Sequence, residues 1–97
     1  MTKPKYKTIH CKRCGASFPF PELPNAERER IAGAVRAGRH IEAIRLLREF
    51  TGVDLRDGKA IEMHITRTSG ICVRCRGHLS ATGQTECPNC DALNLDW

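Results

Sequence analysis

Six cysteines arranged as three C-x-x-C pairs constrain this chain more than any other feature. The pairs are "CKRC" (Cys11, Cys14), "CVRC" (Cys72, Cys75) and "CPNC" (Cys87, Cys90). Two sulfurs spaced this way on a tight turn aim at one point, which is half of a tetrahedral metal site. Four ligands complete such a site, so three pairs leave one in need of a partner.

The need for metal follows from size. In 97 residues the large aromatics are only Tyr6, Phe18, Phe20, Phe50 and Trp97. A single apolar core is marginal at this length unless metal, disulfides or a partner adds order. No apolar run approaches a membrane span, and the opening "MTKPKYKTIH" lacks the apolar segment of a secretory signal. A cytoplasmic chain is expected, in which thiols stay reduced and serve as ligands, with zinc the expected ion.

The charge is uneven. Residues 1–67 hold 14 Lys/Arg against 8 Asp/Glu, and residues 68–97 hold 2 against 3. A basic front suits an acidic partner, either nucleic acid or a protein surface. The plainer reading of so modest a surplus is solubility.

Three segments emerge along the chain. Residues 1–24 form a basic tail, a C-x-x-C knuckle between two strand-like stretches, and a linker with three prolines in "PFPELPN". Residues 25–68 read as three helices. Asn25 is placed to cap the first, which carries Ile31, Ala34 and Val35 and stops near Gly38. In "HIEAIRLLREF" Ile41, Ile44 and Leu47 share one side, with Leu46 and Phe50 beside them, and Gly52 supplies the left-handed stop. Asp54 is expected to cap a third helix that reaches Ile65 or Arg67 and buries Leu55, Ile61 and Ile65. Gly58 costs that helix about 1 kcal/mol against alanine, which suggests close helix contact. Residues 69–97 read as short strands and turns. The predicted fold class is a small α+β chain: a central three-helix, hairpin-like unit flanked by an N-terminal C-x-x-C knuckle and a C-terminal ribbon.

In "ICVRCRGHLSATGQTECPNCDALNLDW" eleven residues separate Cys75 from Cys87, enough for a hairpin that returns the second knuckle opposite the first. This segment resembles the zinc-ribbon, or rubredoxin-like, family through Cys72, Cys75, Cys87, Pro88 and Cys90. Such a closed four-thiolate site leaves no position for water or substrate. Glycine is usual after each knuckle in that family. Here Arg76 precedes Gly77 and Asp91 follows Cys90, and Asp accepts the left-handed conformation better than most residues. Leu95 and Trp97 are expected to cover the ribbon's apolar side.

Cys11 and Cys14 have four candidate fates. They can bind a second ion with His10, His40, His64 or His78, pair with one C-terminal knuckle, bridge to a second chain in a metal-linked dimer, or remain metal-free.

The stretch "RHIEAIRLLREFTGVDLRDGKAIE", residues 39–62, resembles the helical hairpin in the C-terminal domain of the bacterial ribosomal stalk protein. The matching residues are Ile41, Ile44, Arg45, Leu47, Arg48, Thr51, Gly52, Leu55, Arg56 and Lys59. That resemblance implies docking of a translational GTPase by Ile41, Ile44, Arg45, Arg48, Gly52 and Lys59. His40, Asp54 and Gly58 stand where the family usually has lysine, glycine and alanine. The plainer reading makes Ile41, Ile44 and Leu47 the core of the helical unit, with the arginines as a solvated rim.

The chain lacks G-x-x-x-x-G-K-[ST], G-x-G-x-x-G and H-E-x-x-H, and Glu62 and His64 are expected to face different ways. A non-enzymatic, zinc-binding protein-interaction module is therefore expected, and the resemblance to the stalk protein implies an association with translation. The alternatives are a nucleic-acid binder using Lys3, Lys5, Lys7, Lys12, Arg13 and Arg74, or a metal-stabilised scaffold.

Overall fold

The computed structural model describes residues 7–20 and 22–97. The tail residues Lys3, Lys5 and Tyr6, and Pro21 of the linker, lie outside the described residues. Two antiparallel strands, β1 (Thr8–His10) and β2 (Ser17–Pro19), pair with Ile9 opposite Phe18. Three helices follow, α1 (Asn25–Arg36), α2 (His40–Thr51) and α3 (Leu55–His64). A second antiparallel pair, β3 (Gly83–Glu86) and β4 (Leu93–Asp96), closes the chain.

The helix boundaries follow local chemistry. At the end of α1 the Gly38 and Arg39 N–H groups donate back to the Val35 and Ala34 carbonyls. This is a Schellman turn, and it requires the positive φ (77°) that Gly38 adopts. Gly52 ends α2 in the left-handed conformation, and Asp54 caps α3 by accepting the Asp57 N–H at 2.9 Å. The expected cap by Asn25 is not formed. The Pro24 carbonyl accepts from the Glu27 and Arg28 N–H groups at 3.1 Å instead, so Asn25 becomes the first helical residue. Helix α3 stops at His64 rather than continuing, because the extended Ile65 bridges to Leu95 and the Thr66 N–H donates to the Leu95 carbonyl.

One apolar core draws on all three sequence segments. Ile9 and Phe18 from the first sheet, Ile31, Val35, Leu47 and Ile61 from the helices, and Leu93 and Leu95 from β4 pack together. Burying a side chain of this size contributes about 1.5–3 kcal/mol. The C-terminal four-cysteine segment has a small cluster of its own: Cys72, Cys87 and Ala92, with Leu79 and Cys90 against it. Leu95, expected with Trp97 to cover the apolar side of that segment, does not join this cluster. It and Trp97 pack against the shared core.

Two further expectations are corrected. The buried face of α2 is Ala43, Leu46 and Leu47, and Ile41 is 85% exposed rather than part of a core stripe. Leu55, expected to be buried, is 47% exposed because it sits at the first position of α3, ahead of the turn that meets α2. Gly58 is buried against α2 as anticipated. A Cβ there would lie 3.3 Å from Arg48 Cγ and 3.4 Å from Ile44 Cγ2.

A buried polar link ties the ends of the core. The Asp96 carboxylate accepts from the Thr66 hydroxyl at 2.7 Å and the Gly70 N–H at 2.9 Å, with the Arg36 guanidinium 3.7 Å away.

Candidate metal centres

All three C-x-x-C pairs fold on one plan. The Cys11 N–H donates to the Ala16 carbonyl and the Gly15 N–H returns to the Cys11 carbonyl. Cys72 with Gly77 and Arg76, and Cys87 with Ala92 and Asp91, repeat the same two bonds. The plan demands a left-handed residue after the second cysteine. Gly15, Arg76 and Asp91 occupy that position with φ of 78°, 62° and 63°. For the two non-glycine residues this conformation is held by the surrounding bonds.

Cys72, Cys75, Cys87 and Cys90 converge, their sulfurs all within 4.8 Å of one another. The Cys72–Cys90 and Cys75–Cys87 separations are 3.7 and 3.4 Å. A tetrahedral ion with Zn–S bonds near 2.3 Å places sulfurs about 3.8 Å apart, so the group has the dimensions of a metal site. The Arg74 and Asn89 N–H groups donate to Cys72 and Cys87 at 3.4 Å, as does Gly77 to Cys75. The Asn94 side chain adds a donor to Cys72 at 3.5 Å, and its oxygen accepts the Val73 N–H at 2.8 Å. Four free thiols brought together and surrounded by N–H donors fit a dication.

The other pair meets a histidine. Cys11, Cys14 and His64 form a second group, with ligand atoms again within 4.8 Å. His64 is at the end of α3, where its Nδ1–H donates to the Ala60 carbonyl at 2.6 Å. That bond leaves the Nε2 lone pair facing Cys14 Sγ at 3.4 Å, the orientation a metal-binding imidazole needs. The Phe18 ring packs against the imidazole, centroids 4.8 Å apart. Cys11 is buried and accepts the Leu93 N–H from β4 at 3.4 Å.

Thiol acidity differs across the groups. Burial raises Cys11, but the Leu93 and Cys14 N–H donors and the Cys14 and His64 side chains outweigh it and bring it down to about 6. Cys72 is likewise raised by burial and brought down to about 6 by the Cys75 and Arg74 N–H groups, Asn94 and Cys90. Burial and the neighbouring thiols of Cys72, Cys75 and Cys87 push Cys90 up to about 12, because charge accumulates on the cluster. A dication that neutralises the cluster displaces that last proton.

Of the four histidines proposed for the second centre, only His64 joins the cysteines. His10 bonds Ser17, and His40 bonds the buried Glu62 carboxylate at 2.6 Å. Glu62 and His64 do face different partners, as expected. A signal for His64 was present. It follows Ile61 and precedes Ile65, which puts an imidazole on the apolar face of a helix in a chain with an unmatched cysteine pair.

The docking residues suggested by the sequence are mostly accessible. Ile41, Arg45, Arg48, Gly52 and Lys59 are exposed, while Ile44 is half-buried against Gly58. Arg45 is engaged with Glu42 and Glu49. The sequence reading missed Met63, 59% exposed, which continues the Leu55–Lys59 spacing along α3. Lys12 pairs with Glu86 at 3.5 Å. Among the described residues no helix is long and apolar enough to cross a membrane.

Fold and sites together define a small α+β protein with two cysteine-rich centres positioned to hold metal ions, the four-cysteine one compatible with a zinc-ribbon-like site. No protein-family model matches the chain, and comparison with curated proteins and with solved structures finds no match.

Proposed function

We propose that the chain is a non-enzymatic zinc protein that binds a protein partner through the α2–α3 face. Convergence of Cys72, Cys75, Cys87 and Cys90 carries the metal part of this reading. Four thiolates in a tetrahedron suit zinc, and a closed set of this kind is structural. A second zinc at Cys11, Cys14 and His64 is the natural use of the remaining pair. Native mass spectrometry tests both, with two zinc ions on a single chain expected and a metal-free chain overturning the reading.

The partner part rests on Ile41, Leu55 and Met63, the large apolar side chains left exposed among the described residues, set among Arg45, Arg48, Arg56 and Lys59. Apolar residues rimmed by basic ones suit an acidic protein surface with apolar pockets. The resemblance to the ribosomal stalk protein points to a translational GTPase. Titration of a translational GTPase with the zinc-loaded chain should show saturable binding that weakens only severalfold between low and moderate salt, and about tenfold or more in Ile41→Asp. Equal binding by wild type and variant overturns the assignment of the face. Capture of RNA with a steep salt dependence overturns the protein partner in favour of nucleic acid.

A further inference from the structure

We infer that the Cys11–Cys14–His64 centre takes a small exogenous anion as the fourth ligand of its metal, with Arg67 and Arg74 selecting the charge. The inference rests on the reading that this centre holds an ion, and adds what else that ion binds.

The donor count comes first. Among the described residues three protein donors gather here, whereas four gather in the ribbon. Residues 1–6 and 21, outside the described chain, contain no Cys, His, Asp or Glu. A tetrahedral ion held by two cysteines and one histidine has one coordination position left for a ligand from outside the chain.

Space comes second. A cavity of about 180 Å³ adjoins the three donors, its further walls being Met63, Arg67, Val73 and Arg74. A ligand of a few heavy atoms fits, and both apolar and cationic walls are provided.

Charge decides the class. Two thiolates and a neutral imidazole around a dication carry no net charge, and the cavity wall adds two guanidinium-bearing residues and no carboxylate. Arg67 is fixed in place by donating from Nη1 to the Glu62 and Ile65 carbonyls at 3.0 Å. Its charge is partly offset by the Glu62 carboxylate, 3.3 Å from Nη2. Arg74 uses its backbone N–H on Cys72, and its guanidinium has no ion-pair partner among the described residues. An anion entering this cavity meets a Lewis acid and an unspent positive charge together. The ribbon centre has four thiolates and a net negative charge, so it repels anions and serves as an internal control.

The test uses the full chain loaded with cobalt(II), whose visible bands report coordination, titrated with thiocyanate at pH 8. Metal analysis should give two cobalt ions per chain, and thiocyanate should produce a saturable change in the bands. The Cys14→Ala chain should hold one cobalt and show no change. Arg74→Ala should bind thiocyanate about fivefold more weakly, as expected for loss of one partly screened charge, yet bind neutral imidazole as wild type does. Two cobalt ions with bands unmoved by thiocyanate overturn the inference while leaving the two-ion reading intact. A cobalt-dependent dimer overturns it too, because a partner's side chain then fills the position. Equal weakening of thiocyanate and imidazole in Arg74→Ala removes the charge selection. A single cobalt per wild-type chain overturns the two-ion reading itself.

Discussion

The Leu93 N–H donates to Cys11 Sγ at 3.4 Å, across 82 positions of sequence. The next residue, Asn94, donates its side-chain amide to Cys72 at 3.5 Å. One strand, β4, thus supplies donors to both candidate metal centres while Leu93 and Leu95 fill the shared core.

Metal removal should for this reason be felt by the helices. Thorough chelation is expected to lower the melting temperature by about 10 °C or more in a single transition. Helical ellipticity and Trp97 fluorescence should change together. Both signals unmoved by chelation would show that the four-cysteine segment loosens without the shared core that Trp97 reports.

Metal affinity should rise with pH. With Cys90 pushed up to about 12, its proton is still bound at pH 7 and must leave when an ion enters, so affinity grows roughly tenfold per unit for each proton released. Cys11 and Cys72, brought down to about 6, are already thiolates there. Below pH 6 they take up protons as well, and the dependence should steepen. Competition titrations with a chromophoric chelator at pH 5.5, 7 and 8 measure both slopes, and a flat profile would contradict the assignment.

Asp96→Ala should cost about 3 kcal/mol in urea denaturation. It leaves the Gly70 N–H and Thr66 hydroxyl without their acceptor and the Arg36 guanidinium beside an uncompensated polar pocket. A change below about 0.5 kcal/mol would mean that water replaces the carboxylate without loss.

Gly58 separates helix propensity from packing. Alanine gains propensity, and the Cβ it adds presses on the stem of Arg48, an exposed side chain able to move. Gly58→Ala should stabilise the chain by about 0.5 kcal/mol. Gly58→Val should destabilise it by about 2 kcal/mol, since its branches have to displace Ile44 as well. Equal melting temperatures for the two variants would argue against close contact between α2 and α3.

Local chemistry was legible wherever a residue acts on its own neighbours. Gly38, Gly52 and Asp54 mark helix ends in the sequence and do so in the structure. The four-cysteine group was legible because its loop is short and its spacing is regular. Asn25 was misread because Pro24, with φ −59° and ψ 153°, presents its carbonyl to the first turn and leaves the Asn25 side chain nothing to cap. Leu55 and Ile41 were misread because periodicity gives a stripe but not which end of it the neighbouring helix covers. The pairing of Cys11 and Cys14 with His64 was one of several open choices. It depends on where α3 crosses the first sheet, and that is fixed by packing of Phe18 and Ile61 rather than by any spacing along the chain.

The residue after each second cysteine gives the two centres different temperaments. Gly15 adopts its turn at no steric cost, whereas Arg76 and Asp91 hold theirs against a preference of about 1 kcal/mol each. Without an ion the neighbouring backbone bonds alone would have to hold those two turns against that preference, whereas the first loop has none to resist. An ion would therefore be expected to load the first centre faster than the four-cysteine one, a standing receptor beside a clasp under tension.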